Sequence, residues 1–152
     1  MIEVRPATPE DARALAVIHR NALPPGWDEL AIRTYMKAHR HACLVGSLGD
    51  EPCGFIILRA AAEEAEILTL AVTPEKMRQG VGTALLKAGF GWCRSNAVQT
   101  LFLEVAEGNQ AARSLYERFG FTVVARREQY YCMNRNSPEA ALIMRLDTAR
   151  RA

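Results

Sequence analysis

Glu66-Ile67-Leu68-Thr69-Leu70-Ala71-Val72-Thr73-Pro74, followed three residues later by Arg78-Gln79-Gly80-Val81-Gly82-Thr83, is the stretch that decides the fold. Residues 66–72 read as a largely buried strand, and Thr73-Pro74 stops it because proline offers no N–H to a ladder. Past the glycines, Val81, Ala84, Leu85, Ala88 and Trp92 recur at i, i+3, i+4, i+7 and i+11, one face of a helix over residues 80–96. The first turn of that helix leaves N–H groups unpaired, and the helix dipole adds to their pull on an anion. The two glycines let a ligand approach the backbone closely. A phosphate or pyrophosphate suits such a cradle, although a lone Gly-x-Gly also fits a tight strand-to-helix turn without a ligand. No Gly-Lys-Ser/Thr follows, and the third glycine and distant acid of a dinucleotide fingerprint are missing, so a phosphate-bearing ligand of another kind is expected.

Upstream, residues 2–5 read as a short strand. Thr8-Pro9-Glu10-Asp11 then starts a helix running to about residue 21, with Thr8 as cap, proline in the first turn and acids at the positive end. Leu23-Pro24-Pro25-Gly26 breaks it, and Trp27-Asp28-Glu29-Leu30 opens a second helix reaching about residue 39. Strands at 42–48 and 54–61 flank the turn Gly49-Asp50-Glu51-Pro52 as an antiparallel hairpin, which strand 66–72 extends. Gly89 and Gly91 each cost the cradle helix about 1 kcal/mol relative to alanine, which suggests close packing. Downstream come a strand at 100–106 and a helix at 109–119 whose Ala112, Leu115, Tyr116 and Phe119 share a face, with Gly120 placed to end it. Strands at 121–126 and 141–146 follow, joined by a polar loop centred on residues 134–138. The order β-α-α-β-β-β-α-β-α-β-β predicts a mixed α/β domain spanning residues 1–152, with helices on both faces of the sheet.

Length and composition agree with that picture. A chain of 152 residues, 49% apolar and 24% charged, has the make-up of an ordinary globular domain. A net charge of +2 is too small and dispersed to suggest a nucleic-acid partner, and the arginine-rich residues 145–151 read as a solvated end. No run approaches the roughly 18–20 apolar residues of a membrane span, and the start shows no secretory pattern, so a cytoplasmic protein without membrane contact is expected. Cys43, Cys53, Cys93 and Cys132 lack metal-ligand spacing and read as small core residues; His19, His39 and His41 read as surface or structural. No metal site is indicated.

Several motifs together resemble the GNAT acetyltransferase superfamily over essentially the whole chain. They are Leu70-Ala71-Val72-Thr73-Pro74, the Arg-Gln-Gly-Val-Gly cradle, and Asn109-x-x-Ala112-x-x-Leu115-Tyr116 running into Phe119-Gly120-Phe121. Pro25 and Trp27, Leu103-Glu104-Val105, Arg127 with Tyr130-Tyr131, and residues 140–144 narrow the resemblance to the RimI-type group, which acetylates the N-terminal alanine of a ribosomal protein. The resemblance implies a GNAT fold: a mostly antiparallel twisted sheet of six to seven strands flanked by about four helices. It also implies acetyl-CoA as acetyl donor, a protein N-terminus as acceptor, and direct transfer in a ternary complex. One departure stands out. The cradle in this superfamily commonly begins with Gln or Arg three residues before the first glycine, where this chain has Met77. Backbone N–H groups hold most of the phosphate, so binding weakens without being abolished, and Arg78 can still pair with a phosphate.

Roles follow residue by residue. Glu104 shares a strand side with Phe102, opposite Leu101, Leu103 and Val105, where partial desolvation would raise its pKa. Spacing alone equally fits a glutamate on a solvent-facing side; the resemblance implies the general base. Tyr116 reads on its own as a core tyrosine, and the resemblance implies the acid that protonates the leaving thiolate. Leu70, Ala71 and Val72 would meet the pantetheine through backbone groups of splayed strands, while Arg78, Gln79, Gly80, Val81, Gly82 and Thr83 would hold the diphosphate. Asn109 is first a helix cap and by resemblance a coenzyme contact; Trp27, Tyr130 and Tyr131 would line the acceptor groove, with a sheet edge as the other reading of the tyrosines. Two other readings stay open: a transferase acting on a small amine, and an acyl-CoA-binding sensor without turnover, against which the pair Glu104 and Tyr116 argues.

Overall fold

The computed structural model describes residues 1–134 and 137–148, with side chains at 1–128 and 139–148. Strands Ile2–Pro6 (β1), His41–Leu48 (β2), Glu51–Ala61 (β3), Glu64–Val72 (β4), Thr100–Ala106 (β5), Thr122–Asn134 (β6) and Ser137–Asp147 (β7) form one sheet in the order β1-β2-β3-β4-β5-β7-β6. All pairings are antiparallel except β4 with β5. Four helices complete the fold: Ala12–Ala22 (α1), Glu29–Lys37 (α2), Val81–Ser95 (α3) and Gln110–Arg118 (α4). The seven strands and four helices match the mixed, mostly antiparallel architecture expected from the sequence.

Residues 53–58 of β3 are buried without alternation, because helices cover both faces of the sheet. Phe55 and Ile57 pack with Leu15 and Ile18 of α1 and Ile32 of α2. Ile56 and Leu58 face the other way, into a larger cluster with Leu85, Leu86 and Phe90 of α3 and Tyr116 of α4. Each such side chain contributes about 1.5–3 kcal/mol by leaving water.

Several element details differ from expectation. Thr8 does precede the first turn, but that turn is a 3-10 segment, Pro9–Asp11, whose Asp11 accepts from the Thr8 N–H at 2.7 Å and pairs with both terminal nitrogens of Arg5. The β2–β3 turn is tighter than Gly49-Asp50-Glu51-Pro52: Glu51 and Pro52 already belong to β3, with proline accommodated where the register shifts. On α3 the buried set is Val81, Leu85, Leu86, Gly89, Phe90 and Cys93, wider than one stripe. Phe90 turns toward Phe119 and Phe121, so α3 is covered on a second side as well. Gly89 does pack closely, its missing Cβ falling 3.4 Å from Ile56, whereas Gly91 faces open space apart from the end of Arg94.

The polar loop expected at 134–138 is largely strand. β6 and β7 run as a long hairpin with pairs Arg127↔Ala141, Tyr131↔Glu139 and Asn134↔Ser137. The extension is defined by its backbone pairing across the hairpin, which a local reading of turn-forming residues does not reveal. Gly120 takes φ +97°, the left-handed conformation expected after α4.

Candidate active site

Strand β4 changes partners halfway along. It stays with β3 from Ala61↔Glu64 to Gly54↔Val72, but the register shifts between Ile57↔Thr69 and Leu58↔Ile67, leaving Leu68 as an extra residue. Its pairing with β5 is confined to the stretch from Glu64↔Thr100 to Ile67↔Leu103. A bulge bends the strand that carries it, and here it coincides with the departure of β4 from β5. Beyond it the backbone groups of residues 68–72 on the β5 side have no ladder partner among the described residues. Polar backbone in a cleft needs another partner, and a ligand with amide groups of its own can supply one.

The wedge opens into a cleft of about 740 Å³, lined by Leu70, Ala71 and Val72 on one side and by Arg78, Gly80, Val81, Gly82 and Thr83 at the start of α3. Gln79 is exposed and lies outside that lining. Arg78 and Gly80 both take left-handed conformations, with φ of 64° and 89°. The first intrahelical bond runs from the Ala84 N–H to the Gly80 carbonyl at 3.0 Å, so the N–H groups of residues 81–83 lack intrahelical acceptors. A Cβ on Gly82 would fall 3.2 Å from Leu115 Cδ2, so the glycine lets α4 close against the cradle. Lys76 and Arg118 also line the cleft. Sequence reasoning missed both, although a lysine just after Pro74-Glu75 was a legible signal for a cation at the cradle mouth. Met77 is nearly half exposed on the same rim.

A second cavity of about 360 Å³ adjoins the first, and Leu70, Asn109 and Tyr116 belong to the walls of both. Asn109 caps α4, its Oδ1 accepting from the Ala112 N–H at 3.2 Å. Tyr116 is buried in the core cluster, with the Phe121 ring edge-on at 5.6 Å. Glu104 lies on the half-buried side of β5, opposite the buried Leu101, Leu103 and Val105, and lines this second cavity. Arg127 of β6 donates to its Oε1 at 2.8 Å, so a guanidinium tempers the apolar enclosure expected there. Trp27 lines the same cavity with Pro24, Pro25 and Gly26. The side chains of Tyr130 and Tyr131 lie outside the described residues.

His19 is the residue that sequence reasoning undervalued. It lines the second cavity, is 4% exposed, accepts the Trp27 N–H through Nδ1 and contacts Thr69 Oγ1 through Nε2, each at 2.9 Å. Burial pushes its pKa down to about 4, because desolvation penalises the charged imidazolium. His39 is exposed, and His41 is half-buried with Nδ1 at 2.9 Å from the His39 carbonyl oxygen. Cys43, Cys53 and Cys93 are buried free thiols; burial raises all three, Cys43 to about 12 and Cys93 to about 11. Among the described residues there is no cluster of metal-ligating side chains, and no helix long and apolar enough to cross a membrane.

A mixed sheet split at its one parallel pairing among the described residues, with a helix start of unpaired N–H groups at one end of the wedge and a carboxylate and a phenol at the other, is the architecture of an acyl-CoA-dependent N-acetyltransferase. The chain belongs to the acetyltransferase (GNAT) family, whose model matches residues 12–121. It is 39% identical over 92 residues to the [ribosomal protein bS18]-alanine N-acetyltransferase of Escherichia coli K12, covering 60% of this chain and 62% of that protein. The corresponding enzyme of Haemophilus ducreyi is 36% identical over 97 residues, 64% of this chain and 67% of the relative. The chain thus spans about two thirds of the length of these curated relatives in sequence. The crystal structure of the ribosomal-protein-S18-alanine N-acetyltransferase from Escherichia coli superposes with a TM-score of 0.89 at 30% identity, over 97% of this chain and 94% of that one.

Proposed function

We propose that this protein transfers the acetyl group of acetyl-CoA to the N-terminal α-amine of a protein, by direct attack in a ternary complex. The carrying observation is the pair of adjoining cavities: Tyr116 stands in the wall common to both, and Glu104 lines the smaller one. The named relatives act on the alanine of ribosomal protein bS18, which supports a protein N-terminus as acceptor, a ribosomal protein foremost.

Acetyl-CoA supplies a thioester carbonyl open to attack by an amine. The unpaired backbone of residues 70–72 fits its pantetheine arm, and the N–H groups of residues 81–83 with Lys76, Arg78 and Arg118 fit its phosphates. An α-amine with a pKa near 7.7–8.0 is mostly protonated at neutral pH, so a base must remove a proton before attack. Glu104 takes that proton, directly or through water. As the C–N bond forms and the C–S bond breaks, the Tyr116 hydroxyl gives its proton to the departing sulfur, the newly bonded nitrogen sheds its second proton to solvent, and Tyr116 regains one from solvent. A backbone N–H of β4 in the wedge holds the carbonyl oxygen as charge develops on it. The three described cysteines, buried and held as thiols, are unsuited to carry an acetyl group in between.

Mass spectrometry after incubation with acetyl-CoA, a peptide library varied at its first two positions and a panel of small amines tests the proposal. Acetylation on peptide α-nitrogens is expected. Products from small amines alone would move the acceptor to that class, and saturable binding without any product would make the protein a sensor.

A further inference from the structure

One buried imidazole in the acceptor cavity takes no part in the chemistry above. Only an unprotonated nitrogen can accept the Trp27 N–H, so His19 is neutral, carries its proton on Nε2, and donates it to Thr69 Oγ1. Both ends of this arrangement matter to the site. Trp27 closes the short segment 24–27, which has no helix or strand of its own and forms one wall of the cavity. Thr69, itself buried, is the residue after the Leu68 bulge, where β4 leaves β5 and the opposite wall begins.

The ring is also held in plane. It stacks on Trp27 with centroids 4.8 Å apart and is tilted against Phe55 at 5.8 Å. Segment 24–27 has little freedom to find this place unaided: a Cβ on Gly26 would fall 2.7 Å from Arg20 Cα, so the chain is threaded tightly over the end of α1 before it reaches His19. Trp27 in turn packs on Tyr35 of α2, with centroids 4.9 Å apart, so the wall is held from one further element.

We propose that His19 is a positioning residue for the acceptor: its neutral imidazole ties segment 24–27 to the bulge of β4 and thereby sets the width of the acceptor cavity. The inference rests on reading that cavity as the acceptor site. It predicts that damage falls on acceptor binding and spares the donor cleft, whose lining does not include His19.

His19→Phe keeps a ring for the stack and removes both hydrogen bonds, whereas His19→Gln restores one acceptor and one donor. In the full chain, His19→Phe is expected to raise KM for a peptide acceptor about tenfold, with kcat and KM for acetyl-CoA within about twofold, and His19→Gln to recover most of the loss. A second readout needs no turnover. With Trp92→Phe as background, acrylamide quenching of Trp27 fluorescence should rise in His19→Phe and return toward the parent in His19→Gln. An unchanged acceptor KM with unchanged quenching overturns the proposal. So does a parallel rise of both KM values with a fall in Tm that His19→Gln does not rescue, the signature of packing alone. If no amine is acetylated, the functional reading fails by itself, and quenching still decides for or against His19 as the tie.

Discussion

The two ends of the wedge are made of different material. The end proposed to take the donor is built from backbone: unpaired strand groups at residues 70–72, and the N–H groups of residues 81–83, which lack intrahelical acceptors just after the left-handed Arg78 and Gly80. The acceptor end is built from side chains drawn from separate elements: His19 from α1, Trp27 from a loop, Glu104 from β5 and Arg127 from β6. A backbone site is sensitive to whatever blocks a conformation and indifferent to most changes of side chain. A side-chain site is the reverse, and single functional groups carry it.

The largest test of that contrast is chemical. Glu104→Gln should lower kcat by roughly a hundred- to ten-thousand-fold in a steady-state assay, with acetyl-CoA affinity by calorimetry within about twofold. Tyr116→Phe should fall in the same range. Turnover at the parent rate in Glu104→Gln would remove the base assignment and leave the fold untouched.

At the donor end the order of effects should invert the usual weight given to charge. Gly80→Val places a β-branched residue at φ +89° and should weaken acetyl-CoA binding about tenfold or more, whereas Arg78→Ala should cost only about two- to fivefold. The opposite ranking would mean that side-chain charge, not backbone, holds the phosphates.

Acid should reach the acceptor end well before the rest of the protein. The folded pKa of His19, about 4, lies below the ordinary 6.5, so on acidification the unfolded chain takes up this proton first. The stability it confers is whole above about pH 6.5 and drains away as the pH falls to about 4, on the order of 3 kcal/mol. Asp11, held near 2 by Arg5 against an ordinary 3.8, gives a later loss between those two values. Thermal melts across pH 2–7 should show both phases, and His19→Phe should delete the first; a first phase that persists in that variant would assign it to another group.

The smallest effect belongs to a surface pair outside the lining of both cavities. Arg59 and Glu66 are 2.7 Å apart but nearly half exposed, so Arg59→Ala should change stability by less than about 1 kcal/mol in urea melts and leave both KM values alone.

The same division explains what could be read in the sequence. Gly80 and Gly82, the strand before them and the helix after them are local features, and the cradle was legible because proline, glycine and apolar period lie side by side. Asn109 announced its cap in the same way. Nothing local marks Leu68 as an extra residue, since a bulge exists only against a partner strand, here β3. His19 read as surface or structural, with no role in the site, because its partners, Thr69 and the Trp27 N–H, are brought to it by the fold. Arg127 was legible as part of a motif, but its contact with Glu104 depends on β7 lying between β5 and β6.

The parallel junction has a mechanical consequence. Among the described residues, the sheet ladders of the two antiparallel blocks, β1 to β4 and β5 with β7 and β6, meet along the seam from Glu64↔Thr100 to Ile67↔Leu103. A molecule seated where the stitching stops acts as a splint across both blocks. Hydrogen exchange at residues 68–72 and 104–106 should therefore slow together on acetyl-CoA addition, as one unit rather than two.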